Sequence, residues 1–225
     1  MKRKALLCAT VILLSIIVAQ AHAVSLFFDP ASTFSGTAPA GSLTAAFTDV
    51  AGGVQMVITS KLTGKENLDP SSALFLNINP ALNSLLGNLT FTLTGNTGFS
   101  QAAGVLTGID KFKADGDGRY DILFTYAPAT KAFLNGESQT YLITTSSGTI
   151  VATDFTNFFS SPSGGAGTWL AAIHVQNTPG GGGSSGWVGA SETYAAPTPG
   201  ANWLLGGGLL GFFLLRRKFA KETSV

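Results

Sequence analysis

Three carboxylates fall within seven residues in Asp115-Gly116-Asp117-Gly118-Arg119-Tyr120-Asp121. Oxygens gathered this closely suit calcium, a hard cation that takes oxygen ligands. The EF-hand loop fits in neither register. Counted from Asp115, Arg119 takes a ligand position and Tyr120 the place of the obligatory glycine. Counted from Lys113, the first carboxylate is lost and Phe124 replaces the bidentate glutamate. Two readings stand. One is a hairpin turn in which Asp-Gly supplies positive φ and Tyr120 opens the next strand. The other is a looser calcium site of Asp115, Asp117 and Asp121, joined by Asp110 or Asp154 only where the fold brings them in.

His174 is the one histidine beyond His22. Strict alternation through Trp169 to Gln176 sets Trp169, Ala171, Ile173 and Val175 on one face and His174 on the other. That places the imidazole at the solvent side or rim of a strand. Spacing pairs no serine or carboxylate with it, so neither a triad nor a metal site follows. Gly182-Gly183-Ser184-Ser185-Gly186 spells G-x-S-x-G, a motif that works by straining serine between a strand and a helix. A glycine run surrounds it here and no helix follows, so the match is compositional. Phe155, Phe158 and Phe159 cannot all face inward in a simple strand, which leaves a carbohydrate-binding face as an alternative. With no acid/base pair or triad to argue from, no catalytic activity is expected.

The segments that must position these residues read as all-β. Leu89-Thr90-Phe91-Thr92-Leu93-Thr94 alternates apolar and hydroxyl side chains, one face for a core and one for water. Val54, Met56 and Ile58 repeat the period, as do Leu74, Leu76 and Ile78. Further strands are expected in Tyr120 to Tyr126, Gln139 to Thr145 and Trp169 to Gln176, and a short helical stretch in Pro80 to Leu86. Turn signals stand between them at Ala51-Gly52-Gly53, Asp69-Pro70, Gly95-Asn96, Asp115 to Gly118, Asn135-Gly136 and Ser147-Gly148. The glycine run from Pro179 to Gly186 is a loop or linker, followed by a last short strand at Trp187-Val188-Gly189 with Trp187 packed on the sheet. This spacing predicts an antiparallel β-sandwich of jelly-roll or immunoglobulin-like topology.

Both ends of the chain differ from this body. Lys2, Arg3 and Lys4 precede the apolar run Ala5 to Ala19, and Ala21-His22-Ala23 gives the small-x-small pattern of signal peptidase, so the mature chain is expected to begin at Val24. Cys8, the only cysteine, leaves with that segment, so the mature chain has no disulfide. At the other end, Pro197-Thr198-Pro199 fixes an extended segment. Trp203 to Leu215 carries no charge, and Arg216-Arg217-Lys218 follows, as the positive-inside rule asks of a cytoplasmic end. Thirteen residues make about 20 Å of helix against a hydrocarbon core of about 30 Å, a marginal span suited to release. Charged residues make up only 11% of the chain. Between the two ends six basic residues face eleven acidic ones, a formal −5. An acidic body without a basic cluster excludes nucleic-acid binding as an expectation.

The tail, P-T-P-G-A-N-W-L-L-G-G-G-L-L-G-F-F-L-L-R-R-K from Pro197, resembles the PEP-CTERM sorting signal of Gram-negative bacteria that make exopolysaccharide. That resemblance implies an exosortase-type membrane transpeptidase as partner, processing near Pro197 to Pro199, and transfer to the cell surface or matrix. Thr198 stands where that signal usually carries glutamate, which bears on the enzyme variant that handles it. The body is similar to exported proteins with the same tail in F-T-D-V-A-G-G-V-Q-M-V-I-T-S-K-L from Phe47, F-L-N-I-N-P-A-L from Phe75, F-K-A-D-G-D-G-R-Y-D-I from Phe112 and H-V-Q-N-T-P-G-G-G-G-S-S-G-W-V-G from His174. The expected organisation is a signal peptide over 1–23, a sandwich over 24–190, a linker with the sorting motif over 191–200 and a membrane helix with a basic tail over 201–225. The expected function is a non-catalytic surface or matrix protein associated with exopolysaccharide, the alternative being a carbohydrate- or calcium-binding module.

Overall fold

The structure, a computed structural model, describes residues 23–127, 131–162, 169–190 and, by backbone, 193–195. Ala21, Pro197, Thr198, Pro199, Arg216, Arg217 and Lys218 lie outside them, as does the apolar run 203–215. Among the described residues no helix is long and apolar enough to cross a membrane.

Fourteen strands follow one another along the described chain: β1 Ala23–Phe28, β2 Thr33–Gly36, β3 Ser42–Val50, β4 Gly53–Lys61, β5 Asn67–Leu68, β6 Leu74–Leu76 and β7 Leu89–Thr97. The second half adds β8 Gly104–Ala114, β9 Gly118–Thr125, β10 Ser138–Thr145, β11 Ser161–Pro162, β12 Ala171–Gln176, β13 Ser185–Ala190 and β14 Thr193–Ala195. They build two sheets. The first, sheet A, runs β14-β1-β3-β4-β10-β7; the second, sheet B, runs β11-β9-β6-β12-β13-β2, with β8 along β9 and β5 along β12. Every pairing is antiparallel.

The two sheets share one core because alternate residues of each are apolar and point the same way. Sheet A contributes Leu26, Phe47, Met56, Ile58 and Ile143, and sheet B contributes Leu74, Ile122, Phe124, Ile173 and Val188, all fully buried. Phe124 makes the join, edge-on to Phe91 at 5.4 Å and to Tyr141 at 5.5 Å. Gln139 is buried in this core with every polar atom used. Its carbonyl accepts from the Tyr126 and Tyr141 hydroxyls, and its amide donates to the Phe99 and Gln101 carbonyls. A satisfied network costs far less than an orphaned amide.

Most of the expected strands are present, and the short helical stretch is a 3-10 segment over Pro80–Asn88. Three details differ, and one open choice, loop or linker, is resolved. Gly95-Asn96 is no turn but lies inside β7, where the register against β10 shifts between Thr140 and Tyr141; glycine here serves a bulge. The glycine run after Pro179 is the hairpin loop between paired strands β12 and β13. Trp187 is not on the last strand, since β14 follows and pairs with β1. Trp169 does not share the inner face with Ala171. It precedes β12 and lies over Gly189, where an added Cβ would come within 2.1 Å of the indole.

Candidate functional site

The acidic hairpin resolves as a turn between β8 and β9, with Gly116 at φ +86°. Its carboxylates do not gather. Asp115 is exposed and accepts from the Ser35 hydroxyl on β2 at 2.9 Å. Asp117 is buried and accepts from the Tyr120 hydroxyl and, at 2.8 Å, from the Ser160 hydroxyl. Asp121 accepts from the Asp110 and Ile78 backbone N–H groups at 2.8 and 3.2 Å, and burial pushes its pKa up against those bonds. Each carboxylate bonds to a separate segment, Asp117 through Oδ2 alone while its Oδ1 is buried without a partner. Asp154 is likewise taken, by the Val151 backbone N–H and the Asn79 amide. Among the described residues no group of three or more His, Cys, Asp or Glu is placed to hold a metal.

His174 departs from the expected rim position. It leaves the core face as alternation requires, but its side chain keeps only 15% of its accessible surface. The imidazole stacks on Trp187, its register partner across β12 and β13, at 4.3 Å and 3° between planes. Nδ1 faces both the Ser72 hydroxyl at 3.2 Å and the Asp69 carboxylate at 3.4 Å. This brings together a serine, a histidine and an aspartate that spacing could not connect. A catalytic triad nevertheless needs serine on one ring nitrogen and aspartate on the other. Here both approach Nδ1, and Nε2 is buried without a partner. Burial lowers the imidazole's pKa despite Asp69 and Asp115 nearby, so the contact is to a neutral ring at pH 7. Burial raises the Asp69 pKa, but the Ser71 hydroxyl and N–H, His174 and Gln176 outweigh it and hold the carboxyl below its usual value. Ser184 is no nucleophile elbow, since its hydroxyl donates to the Thr178 carbonyl within its own hairpin loop at 2.7 Å.

Through Trp187, His174 adjoins a second, smaller apolar cluster on the outward side of sheet B. Phe75, Ala114, Tyr120 and Ala172 form its buried part, with Phe34, Phe112, Leu123 and Trp187 packed against them. Phe34 bridges Trp169 at 6.2 Å and Trp187 at 6.4 Å. The Asp115 to Ser35 bond ties the β8–β9 tip down onto β2, at the far edge of the same sheet. Of the three phenylalanines expected to compete for the core, Phe155 stacks on Phe47 inside, Phe158 is half-buried, and Phe159 remains 56% exposed.

The outward side of sheet A has another chemistry. One cross-strand row holds Ser25, Ala46, Val57 and Thr140. The row beside it holds Thr48, Gln55, Leu142 and Thr92. On the other side Thr44 faces Thr59. None of these side chains carries a charge, and each is half-buried or exposed; Lys61 marks the strand end beyond them, opposite Ser42. The Leu89 to Thr94 alternation revealed one strand of this face, while its other rows depend on pairings between distant segments.

The two ends of the body meet at the edge of sheet A. Val24 pairs with Ala195, Ser25 with Tyr194 and Leu26 with Thr193, so β1 and β14 lie side by side in opposite directions. Ala23, the residue expected to precede signal cleavage, is half-buried and already in the ladder against Thr48. No family model matches the chain, and no curated protein or solved structure matches it.

Proposed function

We propose that the chain is a non-catalytic exported surface or matrix protein, delivered through its C-terminal sorting tail and associated with exopolysaccharide. The observation that carries this reading is the Val24 to Ala195 pairing. Neighbouring strands are about 4.8 Å apart, so the proposed end of the leader and the start of the tail leave the body together. A body whose first and last described strands are paired can be held at the inner membrane through either chain end. The proposed sequence of events is cleavage after Ala23, transient anchoring by the apolar run 203–215 with Arg216, Arg217 and Lys218 inside, and processing at Pro197 to Pro199 by an exosortase-type enzyme. For the sandwich we assign a jelly-roll-like topology, supported by the repeated crossing of successive strands between sheets.

The alternative reading, a carbohydrate- or calcium-binding module, is favoured in its first half by the charge-free hydroxyl face of sheet A. The separated carboxylates count against its second half. Mass spectrometry of protein recovered from the cell surface tests the sorting reading. The expected species begins at Val24 and ends near Pro197 to Pro199. Pro197→Ala with Pro199→Ala should leave the longer form in the membrane fraction. Surface protein retaining Val225 would overturn the reading.

A further inference from the structure

The outward face of sheet A combines two chemistries in a fixed order. Ala46 and Val57 are register partners, and Leu142 lies diagonally beyond Val57, giving a short apolar strip across three neighbouring strands. Threonine hydroxyls flank it: Thr44, Thr59 and Thr140 towards one end of the strands, Thr48 and Thr92 towards the other. Val57 and Leu142 are not among the side chains packed against the inner core, so this strip is not an extension of it.

A ligand for this face must itself be uncharged. A carboxylate or phosphate laid over these rows would lose water and meet no counter-charge nearer than Lys61 at the strand end, which is costly. The body's formal −5 opposes a polyanion further. The ligand must also be polar, because hydroxyls both donate and accept and are wasted against a hydrocarbon. A pyranose ring meets both demands, with C–H bonds over its face and hydroxyls around its rim. Threonine is stiff at χ1 and stands here on paired strands, so little side-chain freedom is lost on binding.

We propose that this face binds an extended chain of a neutral polysaccharide, sugar faces over Ala46, Val57 and Leu142 and sugar hydroxyls on the threonine rows. The proposal deepens the reading of the protein as exopolysaccharide-associated, and it rests on that reading for where the polymer is met. Sheet B offers no rival platform, since its outward aromatics bury one another and the polar atoms among them are shut from solvent.

The test is sedimentation of the full-length protein, in detergent, with three insoluble neutral glycans: cellulose, a β-1,3-glucan and mannan. Calcium alginate serves as the anionic comparison. Val57→Lys and Thr92→Lys place a charge on the face. Ile109→Lys, at a residue 58% exposed on β8, is the control. Thermal melts confirm that each variant folds. The wild type should be retained on at least one neutral glycan, with retention insensitive to salt because no ion pair contributes. Both face variants should weaken it about tenfold or more, and Ile109→Lys should not. Retention on alginate alone, on none of the glycans, or equally by all variants would overturn the proposal. So would a dimer that Val57→Lys dissociates without any change in glycan retention, which would make the face a contact between copies. Because retention is measured on purified protein, it stands or falls separately from the fractionation test of the sorting tail.

Discussion

Away from the core, sheet B carries a largely aromatic cluster, whereas sheet A carries threonine rows around a short apolar strip. On sheet B, Phe75 contacts Tyr120 at 5.7 Å and Trp187 at 5.3 Å, and the hairpin tip is tied to β2 through Asp115 and Ser35. On sheet A, Thr44, Thr59, Thr92 and Thr140 stand in rows with no such roof among the contacts described. One sandwich thus uses its two outward faces differently, one as a second small core and the other as a free neutral surface. A domain without disulfides gains stability from the first arrangement and leaves the second to contact with the outside.

The largest expected effect tests whether the sheet B cluster is a true core. Phe75→Ala should cost about 3–5 kcal/mol in urea unfolding, whereas Val57→Ala on sheet A should cost about 1 kcal/mol or less. Equal losses would erase the distinction. Next comes Asp117, which satisfies two buried hydroxyls. Asp117→Ala should cost about 2–3 kcal/mol, and Asp117→Asn less, since an acceptor remains. Gly189→Ala forces a Cβ against the Trp169 indole. A loss of about 1–3 kcal/mol, with a shift in tryptophan emission, is expected.

A smaller effect is pH dependence. Burial holds the folded pKa of His174 below the ordinary histidine value of 6.5, so the unfolded chain takes the proton first. Its contribution is whole above pH 6.5 and drains away as pH falls towards the folded value. His174→Gln should therefore flatten the stability profile over that interval; an unchanged slope would show that the stacked imidazole is not the group responsible. Thr92→Ala should be smallest, within about 0.5 kcal/mol.

Much of the inner core was legible because alternation is local: Val54, Met56 and Ile58, or Leu89, Phe91 and Leu93, need only their own segment. The outward faces were not, because they are made by pairing. Nothing near His174 in sequence points to Ser72, which lies 102 residues away, and Trp187 reaches it only through the β12–β13 hairpin. Alternation also fails where a strand is irregular. Tyr120 and Ile122 are two apart yet enter different clusters, the break falling at buried Asp121. Asp117 and Asp121, four residues apart, likewise bond to different segments, Asp117 to the Ser160 hydroxyl and Asp121 to the Asp110 and Ile78 backbones. Phe75 was hidden between Leu74 and Leu76 because β6 is buried on both faces.

Strand β1 is paired with β3 from its first residue, Ala23, and with β14 from Val24 onward. A peptidase grips an extended segment through its backbone, and a segment already zipped into a sheet has none to offer. If the leader is cut after Ala23 as proposed, its removal and folding run against the same clock. On that proposal the cut has to be made while β1 is still loose, and a precursor that folded too soon would seal its leader in place.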